Sequence, residues 1–395
     1  MATLGLILVT LSLLIWLGLL LGWGQFWRAD QRLPELAELP ELPDYPAVCA
    51  IIPARNEAEL LPTTMRSLLQ QVYPGPFKII LIDDHSSDNT TVVARRMAAE
   101  LEATERLTIL KGQPLPPGWS GKLWAMDQGV RQALQGSAAP TYLLFTDADI
   151  DHHRHSLQQL VRYAHRHELD LTSLMVRLRC QSFWEKALIP AFVFFFQKLY
   201  PFPWVNDPSR AMAAAAGGCI LIRPRALERI GGLQRVCNAL IDDCALAAAV
   251  KLTAAPGQGR IWLGLTTQIH SLRPYPSLQA IWQMVARTAY TQLHYSPLWL
   301  FVSLIGMTLI YLVAPLALLW GLFSSHGILM LLAAITWGVM ALAYRPTLRL
   351  YRLSPIWSLA LPAIALLYTL MTLDSARRHW QGQGGAWKGR VYSGS

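Results

Sequence analysis

Two stretches of this chain, residues 1–23 and 297–343, contain no Asp, Glu, Lys or Arg. Hydrocarbon offers a backbone no hydrogen-bond partner, so apolar segments of this kind leave water as helices. About 20 apolar residues suffice to cross a bilayer core of roughly 30 Å. Charged residues make up 15% of the chain, against about a quarter in soluble domains. The deficit is concentrated at the two ends, and the stretch between them has an ordinary charge content. The 395-residue chain therefore reads as a soluble body held by hydrophobic ends.

Residues 1–24 form an N-terminal transmembrane anchor on this reading. No basic residue precedes the apolar run and no small-residue cleavage site follows it, which argues against a cleaved signal peptide. Arg28 and Arg32 follow instead, so by the positive-inside rule the chain enters the cytoplasm. Residues 25–46 make a linker, extended by the prolines between 34 and 46. Toward the other end, runs at 298–323, 328–344 and 356–373 can each span, within a transmembrane block of 297–374. Arg345, Arg349 and Arg352 place the loop between the second and third runs in the cytoplasm. Strict alternation then sends the basic tail 375–395 outside, whereas Arg377, Arg378, Lys388 and Arg390 favour the inside. The conflict is relieved if one run is re-entrant or interfacial. The aromatic run at 187–200 is bracketed by Lys186 and Lys198 and followed by Pro201, Pro203 and Trp204. It predicts an interfacial helix over 187–204, with a buried core helix as the alternative. Residues 276–296 read as a second interfacial, amphipathic segment.

The formal net charge of +9 suits contact with anionic head groups and with a nucleotide diphosphate. No basic stripe interleaved with aromatics is present, so no nucleic acid is expected as a partner. The five cysteines are scattered, without a C-x-x-C pair. They suggest neither a zinc site nor a disulfide framework and fit a reduced, cytoplasmic compartment.

Between the ends, strand and helix patterns alternate. Apolar runs at 48–52, 78–82, 107–110 and 142–146 predict buried strands. Residues 58–70, 90–101 and 123–134 have helical spacing. Alternation of this kind predicts an α/β body with a largely parallel, Rossmann-like sheet covered on both faces. Ligands bind such sheets at the C-terminal strand ends. The polar clusters fall there: Arg55, Asn56 and Glu57 after the first strand, Asp83, Asp84, His85 and Ser86 after the second, Asp147 and Asp149 after the fourth.

Carboxylates two residues apart suit a hard cation such as Mg²⁺ or Mn²⁺, which takes one or two of them plus substrate phosphate oxygens. Asp147 and Asp149 are that pair; capping of the following helix is the plain alternative, and position at a sheet edge favours the metal. Asp83 and Asp84 can accept hydrogen bonds from a nucleotide, or simply build a turn. Lys122 follows Gly118, Trp119, Ser120 and Gly121, where a backbone could approach a phosphate and the ammonium supply a charge. The pattern is not a P-loop, so a kinase or ATPase is not supported. Asp242 and Asp243 open an Ala-rich helical stretch; they are either caps or a general base with its neighbour. His152, His153 and His155 read as an exposed helix start rather than a metal site.

These residues in this order (IPARNE at 52–57, DDHSSD at 83–88, Asp147 with Asp149, then Asp242 with Asp243) resemble the ordered motifs of family 2 glycosyltransferases with the GT-A fold. Four further segments are similar to the hopene-associated glycosyltransferases: FWRADQRLP at 26–34, GWSGKLWA at 118–125, LIPAFVFFFQKLYP at 188–201 and ARTAYTQL at 286–293. The resemblance implies a GT-A domain over 47–275. It implies that Asp84 with Asp83 holds a uracil or ribose, with Pro53 and Glu57 lining the pocket and Lys122 and Asp147 near the diphosphate. Asp149, helped by Asp147, would bind the divalent metal. Asp243 would be the catalytic base, beside Asp242. Membrane-bound relatives carry Q-x-x-R-W near the acceptor channel. Here Gln283 is followed by Arg287, one residue late, and the tryptophan is missing. The implied protein is a multi-pass enzyme of the bacterial plasma membrane with a cytoplasmic catalytic domain. It would move a sugar, with inversion, from a nucleoside diphosphate donor (UDP foremost) to the hydroxyl of a hopanoid- or isoprenoid-type lipid. A polyprenyl phosphate acceptor and a non-catalytic nucleotide-binding membrane scaffold are the alternatives.

Overall fold

The computed structural model describes residues 2–135, 139–255 and 257–382, with the backbone of 386–387 and 390–391; Lys388 of the basic tail lies outside the described residues. The chain opens with helix α1 (Ala2–Gly22), apolar on every face. The segment after it is extended but not free. Trp23 Nε1 donates to the Lys198 carbonyl at 2.8 Å, the Leu265 N–H donates to the Gln31 carbonyl at 2.7 Å, and the buried Arg162 donates to the Leu39 carbonyl at 3.1 Å. Residues 25–46 therefore act as a strap pinned along the body.

The α/β body follows as β1 (Val48–Ala54), α2 (Leu61–Leu69), β2 (Phe77–Asp83), α3 (Thr90–Glu100), β3 (Leu107–Lys111), α4 (Gly121–Leu134), β4 (Tyr142–Thr146), β5 (Ile150–His152), α5 (Ser156–Arg166), β6 (Leu171–Arg177), α6 (Phe183–Leu199), α7 (Phe202–Asn206), β7 (Cys219–Ile222), α8 (Pro224–Ile230), α9 (Asp242–Leu252) and β8 (Ile261–Ser271). The eight strands form one sheet in the order β3-β2-β1-β4-β7-β6-β8-β5. Strands β3, β2, β1 and β4 run parallel. Beyond β4 the sheet is mixed: β7 is antiparallel to β4 and β6, and β5 is antiparallel to β8. The largely parallel sheet expected from the alternation holds for the first half alone. The strand–helix alternation that builds parallel neighbours stops at β4: β5 follows after a short loop through Asp149 and pairs with β8 at the far edge, and β7 enters between β4 and β6 only after the long segment that holds α6 and α7.

Alternation along β1 divides the interior. Val48, Ala50, Ile52 and Ala54 pack toward α2, α3 and α5. Cys49 and Ile51 face α4, α6 and the C-terminal helices. Helix α6 starts at a capping box, Ser182 with Glu185. Leu188, Ile189, Ala191, Val193 and Phe194 are fully buried. The segment expected as one interfacial helix over 187–204 is the latter part of α6 and the start of α7, with one side of α6 in the core and Phe192, Phe195 and Phe196 half-buried. Its composition could not separate the two, because helices apolar all round suit either burial.

After α10 (Leu278–Ala286), helix α11 (Pro297–Met307) passes through a π turn at Thr308–Leu312 into α12 (Val313–Ser324); α13 (Gly327–Leu350) and α14 (Leu361–Trp380) complete the chain. Four helical runs are long and apolar enough to cross a membrane. Three stand together: Val9 of α1 packs with Ala317, Leu329 and Ala333, and Trp16 Nε1 donates to the Ile310 carbonyl at 2.8 Å. Helix α14 lies differently, along α6. The Trp357 ring before it meets Phe183 at 5.6 Å, Tyr368 Oη donates to the Leu188 carbonyl at 2.9 Å, and Asp374 accepts from Trp282 Nε1 at 2.8 Å.

Candidate active site

Parallel, in-register strands bring their C-terminal ends to one edge: Ala54 stands beside Asp83, and Ile51 beside Phe145. The loops after β1 and β2 are stitched together. Asn56 N–H donates to Ser86 Oγ at 3.0 Å, Ala58 N–H to Asp88 Oδ2 at 3.0 Å, and Arg55 to the Asp84 carbonyl at 2.6 Å. Asn56 and His85 make the turns with φ of 53° and 54°, a region where Asn and His are enriched.

Asp147 and Asp149 flank Ala148, which is buried and whose carbonyl accepts from Thr64 Oγ1 at 3.0 Å; both carboxylates line one cavity. Lys122 Nζ lies 2.8 Å from Asp147 Oδ1 and 3.9 Å from Asp242 Oδ2. Ser120 caps α4 by accepting from Leu123 N–H, which sets Lys122 in the first turn facing the carboxylates. Burial opposes the Lys122 charge, but Asp147 and Asp242 outweigh it, so its pKa is raised. Asp149 is bound by Arg273 Nε at 2.6 Å. The same guanidinium reaches Glu57 at 2.8 Å. Burial and the neighbouring Asp147 push the Asp149 pKa up, against the pull of Arg273.

Asp243 stands in the first turn of α9, so a capping-type position and a base position coincide. Its two oxygens accept from Gly217 N–H and Cys244 N–H, both at 2.8 Å. Burial, then Asp242, raises its pKa to about 6, against the two N–H groups and Lys122. A carboxyl tuned toward neutrality suits a general base.

Two adjoining cavities meet here. One, of about 550 Å³, is lined by Pro53, Glu57, Lys122, Asp147, Asp149, Asp242, Arg273, Gln283 and Arg287, among others. The other, of about 570 Å³, joins Asp242, Asp243, Lys122 and Arg287 to an apolar wall from α6, α11 and α14, including Phe192, Phe195, Phe196, Gly306 and Tyr368. Asp83 and Asp84 stand further along the sheet edge, outside both linings. Asp83 Oδ1 accepts from Ser86 N–H at 3.2 Å, the turn its composition allows. The histidines divide. His153 and Arg154 are exposed, but His152 is buried on β5, 2.9 Å from Thr146 Oγ1, and burial lowers its pKa to about 3. It is not part of an exposed helix start, because β5 rather than α5 follows the acidic pair.

Sequence reasoning missed Arg273 and Gly217. Arg273 is far from every motif, and its one signal was a charge just past an apolar run. Gly217 offered a signal in the Gly217–Gly218 step after four alanines; a Cβ there would lie 3.4 Å from both Asp243 Oδ2 and Lys122 Nζ.

Among the described residues no group of three or more His, Cys, Asp or Glu converges as a metal cage. Two carboxylates at the edge of an open polar cavity fit an ion that completes its shell with phosphate oxygens and water.

Residues 49–231 match the model described as Glycosyl transferase family 2. Residues 49–231, just under half of the chain, thus have the sequence pattern of a family 2 glycosyltransferase domain. The chain is 31% identical over 130 residues to the 4,4'-diaponeurosporenoate glycosyltransferase of Staphylococcus haemolyticus (strain JCSC1435), a match covering 32% of this chain and 31% of that protein. The matched part thus spans about a third of the relative's length. The fold is similar to that of a mannosyltransferase from Pyrobaculum calidifontis solved with GDP-Man and Mn²⁺. The TM-score is 0.53 and the identity 19%, over 95% of this chain and 99% of that one.

Proposed function

We propose that the protein is a membrane-bound, inverting glycosyltransferase that moves a sugar from a nucleoside diphosphate, UDP foremost, to the hydroxyl of a hopanoid- or isoprenoid-type lipid. One observation carries this reading: Asp243 lines an apolar, aromatic cavity, which meets at Lys122 and Asp147 the polar cavity that Asp149 edges. A soluble acceptor would have no use for that wall. The carotenoid-type substrate named for the staphylococcal relative and the nucleotide sugar bound to the archaeal neighbour support the two halves of the reading. The four apolar helices support membrane attachment, with the family 2 domain on the cytoplasmic side as Arg28 and Arg32 indicate.

Pro53 and Glu57 line the nucleotide side of the site, with Asp83 and Asp84 further out for the base or ribose. Asp147 and Asp149 would hold Mg²⁺ or Mn²⁺, which supplies charge stabilisation at the diphosphate. Asp243 takes the proton of the acceptor hydroxyl as its oxygen bonds to the anomeric carbon. The sugar–phosphate bond breaks, its electron pair leaves with the nucleoside diphosphate, and Asp243 ends protonated. Lys122 stabilises the departing charge. Gln283 and Arg287, on α10 and just after it, would serve the acceptor from where the cavities adjoin, Arg287 lining both and Gln283 the polar one. Membranes carrying the wild type should transfer labelled sugar from a nucleotide donor to a lipid extractable in organic solvent. Membranes carrying Asp243→Asn should not, and equal labelling by the two would sink the reading.

A further inference from the structure

Each carboxylate at the end of β4 is already gripped by a cation from a different element. Lys122 of α4 holds Asp147. Arg273, from the loop between β8 and α10, holds Asp149 and Glu57 together. The two grips differ in kind. The Lys122 side chain is 19% exposed and sits in a helix, whereas the Arg273 side chain is 34% exposed, with ion pairs as its holds. The carboxylates it bridges are nearly buried, at 8% each. A divalent ion that uses Asp149 must therefore compete with a guanidinium for the same oxygens. A planar fork of donors binds phosphate as readily as carboxylate, so a diphosphate entering this cavity gives Arg273 another partner.

We propose that Arg273 is a displaceable counter-ion that keeps Asp149 and Glu57 closed until a nucleoside diphosphate draws the guanidinium onto its phosphates, so that divalent ion and nucleotide bind cooperatively. The inference rests on the reading of this cavity as the donor site. Three consequences follow from linkage, since each ligand must raise the other's affinity by the same factor. The ion alone binds the resting protein weakly. The nucleotide tightens it. Removal of the guanidinium tightens binding of the ion alone and weakens the coupling, because Asp149 Oδ2 is then no longer held by Arg273 Nε.

The experiment titrates the full-length protein in detergent micelles with Mn²⁺ and follows free Mn²⁺ by electron paramagnetic resonance, without nucleotide and with UDP or GDP. Wild-type affinity for Mn²⁺ should rise on the order of 10-fold with nucleotide, within the usual range of such couplings. Arg273→Gln should bind Mn²⁺ alone roughly 10-fold more tightly than wild type and gain less from nucleotide than wild type does. Arg273→Lys, which keeps the charge, should exclude Mn²⁺ as the wild type does. Wild-type affinity that is the same with and without bound nucleotide overturns the proposal, and that arm needs no variant to fold. So does Arg273→Gln binding Mn²⁺ alone no better than wild type, which would make the arginine a fixed brace. Failure of the donor reading looks different: neither UDP nor GDP would bind at any Mn²⁺ concentration.

Discussion

Asp243 combines two demands that conflict elsewhere in the chain. As the proposed base it must be anionic to take a proton, yet it lies beside Asp242 in a poorly solvated place. Two backbone N–H groups and Lys122 keep its pKa near 6 rather than higher. Asp243→Asn should lower kcat by at least about 100-fold, the low end for general-base catalysis, and leave nucleotide affinity unchanged by calorimetry. The wild-type rate should rise as pH increases through about 6, where the carboxyl becomes ionised. Lys122→Met removes a cation that favours that ionisation, so the acidic limb of its pH–rate profile should move to higher pH. A limb left in place would detach Lys122 from Asp243. Stability carries the same signature with a definite sign. A carboxyl raised from 3.8 to about 6 favours the fold while protonated, and that benefit is lost as pH rises through about 6. Asp243→Asn should thus match wild type near pH 4 and exceed it above pH 7, by on the order of 1–2 kcal/mol, in thermal unfolding monitored across pH.

At the scale of elements, the site depends on how closely α4 packs on the sheet. Gly129 allows this approach: a Cβ there would lie 2.6 Å from Ile51 Cγ2 and 2.7 Å from Ile82 Cδ1. Gly129→Ala should cost about 1–3 kcal/mol, as overpacking of a tight core does, and lower the melting temperature. Activity should fall too, because α4 carries Lys122. Gly306 of α11 is the opposite case. It lines the apolar cavity, and a Cβ there meets nothing within 4 Å. Gly306→Trp should fill the cavity, abolish transfer to lipid and spare nucleotide binding. Retained lipid transfer would move the acceptor elsewhere. Boundaries of β1 to β4 and α2 to α4 were legible in the sequence to within a few residues, because periodicity and turn residues are local signals. The fate of α6 was not, since its apolar surface suits protein and lipid equally.

At the scale of the whole molecule, the packing of α14 bears on the clash between strict alternation and the basic tail. Helix α14 is long and apolar enough to cross a membrane, yet Trp357 at its start rests on Phe183 and Asp374 near its end on Trp282. Both ends therefore lie on the family 2 body. Leu359, Leu366, Leu370 and Leu373 are exposed on its outer side, as on a helix lying in the membrane plane. On the reading that α1, α11–α12 and α13 are the spans and α14 lies in the membrane plane, Arg377 and Arg378 fall on the same side as Arg345 and Arg349. A cysteine placed in the tail, in a background without other accessible cysteines, should be labelled from the side that holds the family 2 domain. Labelling from the opposite side would make α14 a span.

The sequence by itself determined that the chain has apolar ends, a strand–helix body and acidic clusters at strand termini, because composition and periodicity are written residue by residue. It also carried the Asp147–Asp149 pair and Asp243 as family motifs. Tertiary structure alone decided which charges meet. Arg273 reaches Asp149 and Glu57 across 124 and 216 residues, and no local pattern encodes a contact closed over such distances. It also decided that α6 packs into the interior and that α14 rests on α6 and α10, because an apolar helix takes its surroundings from what packs against it. The acidic pair thus gained a specific partner, a counter-ion brought by the last strand of the sheet.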